Sequence, residues 1–208
     1  MMTPACVSKR AWITLLVVTL LTFSADLITK KLAFAHVAAQ PVQLERETLL
    51  LNSQWSPIPI DAHRVVIPGR ILDFQLVLND GAVFGIGSQK RIFFIIFTII
   101  ALGVATFIFA KQTGMKDYHA HVALGLILGG GLGNLYDRIF IGRVRDFLYL
   151  FPDRHLPFGL SWPGGNNEWF PWIFNIGDSV LLVGMGILMI YFWKQPNPVT
   201  SNPPDEAK

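Results

Sequence analysis

The sequence predicts an α-helical membrane protein, with four transmembrane helices and a small β-sheet on the membrane face between the first and second helices. Three observations predict it. Of the 208 residues 52% are hydrophobic and only 15% are charged, where a soluble domain carries about 25% charged residues. The charges gather between long apolar runs, which is the pattern of membrane spans joined by loops. Residues 71–78 have the composition of a strand and lead into Asn79-Asp80-Gly81, residue types that tolerate the positive φ of a tight hairpin.

Taken in order, the helices are expected at about 12–34, 92–110, 119–139 and 172–193, within a single integral membrane domain covering 1–208. A span needs roughly 20 residues to cross a hydrocarbon core of about 30 Å. The second and fourth runs reach this outright, and the first and third do so by taking polar residues in at one end. Lys9-Arg10 followed by an apolar run has the look of a cleavable leader, but the run continues without a breaker through Leu27, Ile28 and Leu32, so a retained helix is expected. The β region is placed at about 68–90, with residues 82–86 as the return strand of the hairpin. Segment 40–68 reads as an irregular loop, 152–171 as a broken stretch rich in Trp, Pro and Gly, and 195–208 as a disordered tail.

Four spans put both termini on one side. With that side inside, the inner segments hold Lys9, Arg10, Lys111, Lys116, Lys194 and Lys208 of the 17 basic residues. The outer segments hold more but are much longer, so the positive-inside rule leans only slightly towards this arrangement. A formal charge of +3, spread without a basic stripe, excludes a nucleic-acid groove. Cys6 is the single cysteine and the five histidines form no HExxH pattern, so neither a disulfide nor a metal site is expected.

Polar residues capable of chemistry collect at one end of the third and fourth runs. Asn134 stands one helical turn from Asp137 and Arg138, Asp146 follows a short connection, and Asn175 and Asp178 are spaced i,i+3 at the start of the fourth run. Asp26 and Lys30, spaced i,i+4, suit an ion pair at the end of the first helix. A charge at the bilayer centre costs about 2.5–3.5 kcal/mol and less near the interface, so Asp178 can remain in touch with water. Asp137 and Arg138 also read simply as structural polar contacts. Two aspartates held close cannot both ionise, and such a pair activates a water and polarises a carbonyl without any cofactor. The competing readings are a small transporter with Asp178 as an ion or proton site, and a non-catalytic scaffold. A transporter would carry polar residues at mid-depth and internal repeats, and the second and fourth runs are apolar at their centres.

Five motifs occur in order: Asp26-x-x-x-Lys30, Asn79-x-Gly81-Ala82-x-Phe84-Gly85, Gly133-Asn134-x-x-Asp137-Arg138, Val144-x-Asp146-Phe147 and Phe174-Asn175-x-x-Asp178-Ser179. Over residues 12–193 the chain thereby resembles the bacterial lipoprotein signal peptidases (signal peptidase II). The resemblance implies an aspartic endopeptidase of the bacterial inner membrane. It would remove the signal peptide from prolipoproteins whose lipobox cysteine carries a diacylglyceryl group, with those prolipoproteins and membrane lipid as its partners. It implies Asp146 and Asp178 as the catalytic dyad, with Asn134, Arg138, Asn175 and Asp137 around it. Asn79 and Gly81 would lie in a periplasmic β-cradle and Asp26 and Lys30 in the first helix. Both termini would be cytoplasmic and the site would face the periplasm. The chain departs from the family pattern at Gly177, where Ala is usual, and in the length of segments 40–68 and 152–171.

Overall fold

In the computed structural model, which describes residues 3–52, 55–81 and 91–195, four long helices carry a four-stranded antiparallel sheet at one end. The helices are α1 (Lys9–His36), α3 (Arg91–Gln112), α4 (Tyr118–Tyr136) and α5 (Ile176–Trp193). A short helix α2 (Arg46–Leu51) and strands β1 (His63–Ile67) and β2 (Leu72–Asn79) separate α1 from α3, and β3 (Val144–Leu150) and β4 (Ile173–Phe174) separate α4 from α5.

The helices are inverted relative to those of a soluble protein. On α1 the buried stripe is Ala11, Leu15, Thr19, Thr22, Asp26, Lys30 and Ala33, a helical spacing that includes every ionisable residue the helix buries. Leu20 and Leu21, by contrast, are 61% and 66% exposed. On α3 only Ala105 and Phe109 are buried. A surface of bare Leu, Ile and Phe suits lipid rather than water, and α1, α3 and α5 are each long and apolar enough to cross a membrane.

Helix α4 holds the bundle together, packing against α1, α3 and α5. Its glycines make this possible, as is usual where helices meet in lipid. A Cβ on Gly129 would stand 2.6 Å from Cβ of Thr22 in α1, and one on Gly130 would collide with the Gly177 carbonyl of α5. The helix closes in a wider turn over Asp137–Ile141, where the Gly142 amide donates to the Asp137 carbonyl. Such turns recur at functional sites.

The sheet differs from the expected hairpin. Its order is β1-β2-β3-β4, so two strands come from beyond α4 rather than from the segment between the first two spans. β2 pairs with β1 on one side, His63 opposite Gln75, and with β3 on the other, Val77 opposite Asp146. Residues 82–86, expected as the return strand, and most of the 195–208 tail lie outside the described residues. Segment 40–68 is not wholly irregular, since it supplies α2 and β1. Asp146 sits within a strand rather than after a loop. The fourth apolar run begins its helix at Ile176, after β4, and not at residue 172.

The sheet rests on the end of α1 through Ala33, Phe34, Val37, Leu76 and Phe147, all buried. Phe74 and Phe147 meet edge to face at 5.5 Å. Buried Arg143 ties α2 to the loop before β3, donating to the carbonyls of Leu49, Asn52 and Trp55. Carbonyls in the last turn of a helix have no partner within it, and Arg143 supplies one. At the opposite end of the bundle the Ala5 amide donates to the Thr113 carbonyl and Met115 to that of Thr3, which seats the N-terminal segment against the α3–α4 turn.

The glycine contacts are testable. Gly130→Ala must push α4 away from the rigid Gly177 backbone, an overpacking cost of about 1–3 kcal/mol. Gly103→Ala meets nothing within 4 Å. Thermal unfolding in detergent should show a lowered midpoint for the first variant and an unchanged or raised one for the second.

Candidate active site

The sheet and the N-terminus of α5 bring the two aspartates together. β3 holds Asp146, only 1% exposed. β4 pairs with β3, Leu148 opposite Phe174, and the residue after Phe174 is Asn175, the cap of α5. There the Asn175 side chain accepts from the Asp178 amide at 2.9 Å, and the Asp178 carboxylate accepts from the Asn175 amide at 3.2 Å, a reciprocal capping box. Asn175 and Asp178 therefore meet through the cap and not as neighbours on one helical face, which is what their spacing had suggested.

Side-chain amides join the two carboxylates. Asn175 Nδ2 donates to Asp146 Oδ1 at 2.6 Å and to Asn134 Oδ1 at 3.1 Å. Asn134 Nδ2 donates to Asp178 Oδ1 at 2.7 Å. On the other side Asn79 Nδ2 donates to Asp146 Oδ2 at 2.8 Å. The Gly81 amide in turn donates to Asn79 Oδ1 at 2.7 Å, from a backbone at φ +92° that glycine adopts freely.

Beneath these amides lies an ion cluster closed to solvent. Lys30 Nζ is 2.6 Å from Asp26 Oδ2, 2.9 Å from Asn134 Oδ1 and 3.3 Å from Asp137 Oδ2. Asp137 is also held by Arg145, through the backbone amide and the guanidinium. Asp26 Oδ1 accepts from the Gly177 amide at 2.7 Å. A Cβ at position 177 would stand 2.9 Å from that same oxygen, so Gly at this position matches a close approach of α5 to α1. Buried charges persist when they are paired and hydrogen-bonded, and here each one is.

The electrostatics of the pair are uneven. Burial first, and the nearby Asp178 carboxylate second, push the Asp146 carboxyl up to about 7, against the pull of Asn79, Asn175 and Lys30. Asp178 is half-buried and marks the open side of the site. Arg138 lies over the Phe94 ring at 5.3 Å, and its charge acts on Asp178 ahead of Asp146. Together with Asn134 it ends an apolar cavity of ≈ 200 Å³ between α3, α4 and α5, lined by Phe94, Phe97, Leu102 and Leu181 among others. Among the described residues no three His, Cys, Asp or Glu side chains are grouped to hold a metal ion.

All ten residues singled out in the sequence thus fall in one connected network. Arg145 was missed: no local pattern reveals that a strand residue reaches back to Asp137.

The profile of the signal peptidase (SPase) II family matches residues 18–194. The lipoprotein signal peptidase of Aquifex aeolicus (strain VF5) is 32% identical over 193 residues, covering 90% of each chain. That of Streptomyces griseus subsp. griseus is 33% identical over 196 residues, 91% of this chain and 78% of its own. A bacterial membrane enzyme solved by the in meso method at 2.3 Å superposes with a TM-score of 0.60 at 27% identity, covering 94% of both chains. The chain belongs to the signal peptidase II family.

Proposed function

We infer that this protein is the membrane aspartic endopeptidase that removes signal peptides from prolipoproteins, with Asp146 and Asp178 as its catalytic pair. The observation that carries the assignment is the pair of carboxylates spanned by Asn175, one nearly buried with its carboxyl raised to about 7 and the other open.

The two share one proton near neutral pH. Asp178 takes a proton from a water whose oxygen attacks the scissile carbonyl carbon, while Asp146 gives its proton to the carbonyl oxygen. As the tetrahedral diol collapses, Asp146 recovers a proton from it and Asp178 passes its own to the leaving amine. Asn134, Asn175 and Asn79 keep the carboxylates in place, Arg138 holds charge near the substrate, and Asp137, Asp26, Lys30 and Gly81 support them. The apolar cavity ending at Asn134 and Arg138 is open to lipid-soluble chains, which fits a substrate whose cysteine bears a diacylglyceryl group.

In this reading α4, third of the long helices in chain order, spans the membrane as well; its 19 residues reach about 28 Å at 1.5 Å per residue. Lys9, Arg10, Lys111, Lys116 and Lys194 belong to the end of the bundle away from the sheet, which supports cytoplasmic termini in a bacterial inner membrane and a site facing the periplasm. The whole chain acts as one domain, its sheet a periplasmic cradle.

Three outcomes are expected. Asp146→Asn and Asp178→Asn should each fold yet cut a diacylglyceryl-modified prolipoprotein in detergent about 10²–10⁴-fold more slowly than wild type; near-normal cleavage by either removes that residue from the pair. Since the Asp146 carboxyl is raised, its proton is present below about pH 7 and lost above it, so cleavage should fall as pH rises through about 7. By the same linkage the folded state holds a proton that the unfolded chain has released. Wild-type stability relative to Asp146→Asn should therefore decline between about pH 4 and pH 7, as read from thermal midpoints.

A further inference from the structure

Three asparagines aim their amide nitrogens at the two carboxylates, and each must be kept from turning over, because the opposite orientation would set an amide oxygen against a carboxylate oxygen. For two of them the fixing group is a backbone N–H: Gly81 donates to Asn79 Oδ1, and Asp178 donates to Asn175 Oδ1. Backbone amides only donate, so those orientations are determined. Among the described residues Asn134 has no such partner on its oxygen. Its Oδ1 accepts instead from Lys30 Nζ at 2.9 Å and from Asn175 Nδ2 at 3.1 Å.

We propose that Lys30 is a positioning residue for the cleavage reaction: its ammonium locks the Asn134 amide so that Nδ2 faces Asp178. The proposal rests on the peptidase reading above and assigns this buried cation a task within it. An ammonium carries three donors and no acceptor; here it donates to Asp26 and to Asn134 and stands 3.3 Å from Asp137 Oδ2 as an ion-pair partner. A cation serving only to neutralise two carboxylates has no need of the contact with Asn134. The ammonium is wholly inaccessible, so it reaches the reaction only through Asn134 and through its field. The other charged groups around the pair are Arg138 from the turn after α4, Asp137 and Arg145 beneath it, and Asp26 on α1. Asn134 is the one side chain that contacts both Lys30 and Asp178 among the described residues.

The test removes the cation without stranding a charge. In Asp26→Asn/Lys30→Met the net charge is unchanged and Asp137 keeps Arg145. Cleavage of a diacylglyceryl-modified prolipoprotein should show kcat reduced about 10–100-fold with KM within about threefold of wild type, since only the transition state is affected. The alkaline limb of the pH profile should move up by about one unit, because a positive charge near the pair is gone. Asp26→Asn alone, which keeps the ammonium on Asn134 but removes a negative charge beside it, should move the alkaline limb down rather than up. A double variant with wild-type kcat and pH profile overturns the proposal. In parallel, the Asn134 side-chain amide of the ¹⁵N-asparagine-labelled wild type should shift as the pair titrates and lose that response in the double variant. No response in the wild type overturns the proposal too, even if the double variant does not fold. The amide measurement needs no substrate, so it separates failure of this proposal from failure of the peptidase assignment, which a wild type unable to cleave would reveal.

Discussion

Two carboxylates placed side by side and away from water repel each other and lose hydration, and a fold that keeps them must supply oriented donors in place of that water. Here the donors are carboxamides, and Asn175 is the one on which the others depend. Its oxygen is taken by the first turn of α5, and its nitrogen reaches both Asp146 and Asn134. One side chain therefore caps a helix, holds one carboxylate directly and the other through Asn134, and does so with no exposure to solvent. Its removal would leave the α5 N-terminus uncapped and Asp146 short of a donor at the same time.

The larger architecture serves this contact. β3 and β4 are paired so that Asp146 and Asn175 emerge next to each other, and the sheet is fixed to α1 by Phe34, Val37, Leu76 and Phe147. The glycines of α4 bring α1 and α5 close enough for the Gly177 amide to reach Asp26. The Lys30–Asp26–Asp137–Arg145 cluster then closes the floor. In a bilayer such a buried cluster cannot exchange its partners for water, so it serves as a rigid base and leaves the open side of the site at Asp178.

Much of this was legible in the sequence, for reasons that can be named. Long apolar runs with polar residues at their ends marked the helices, because lipid-facing and bundle-facing positions obey opposite rules. Asp26 and Lys30 announced a pair by their spacing alone, and Asp178 stood out as a charge near the start of an apolar run. What failed were contacts set by pairing distant segments. The Asn79–Asp146 bond joins residues 67 apart, and strand order depends on β3, for which no element was expected, and on β4, whose two residues read as the start of the fourth helix because they are too few to show alternation. Asn175 and Asp178 were expected to share a helical face, whereas a capping asparagine lies just outside its helix. Arg145 alternates with Asp146 along β3, so it turns to the opposite side, where Asp137 waits; nothing local signals that partner.

The central claim is that Asp146 keeps its proton into the neutral range while part of a fully hydrogen-bonded carboxylate pair. Infrared difference spectroscopy of the detergent-solubilised protein, titrated from pH 5 to pH 9, tests it directly through the carbonyl stretch of a protonated carboxylic acid. The account predicts a band that disappears with a midpoint of about 7 and is absent from Asp146→Asn. A wild type with no such band above the ordinary carboxyl range, or a band that survives in Asp146→Asn, would contradict it.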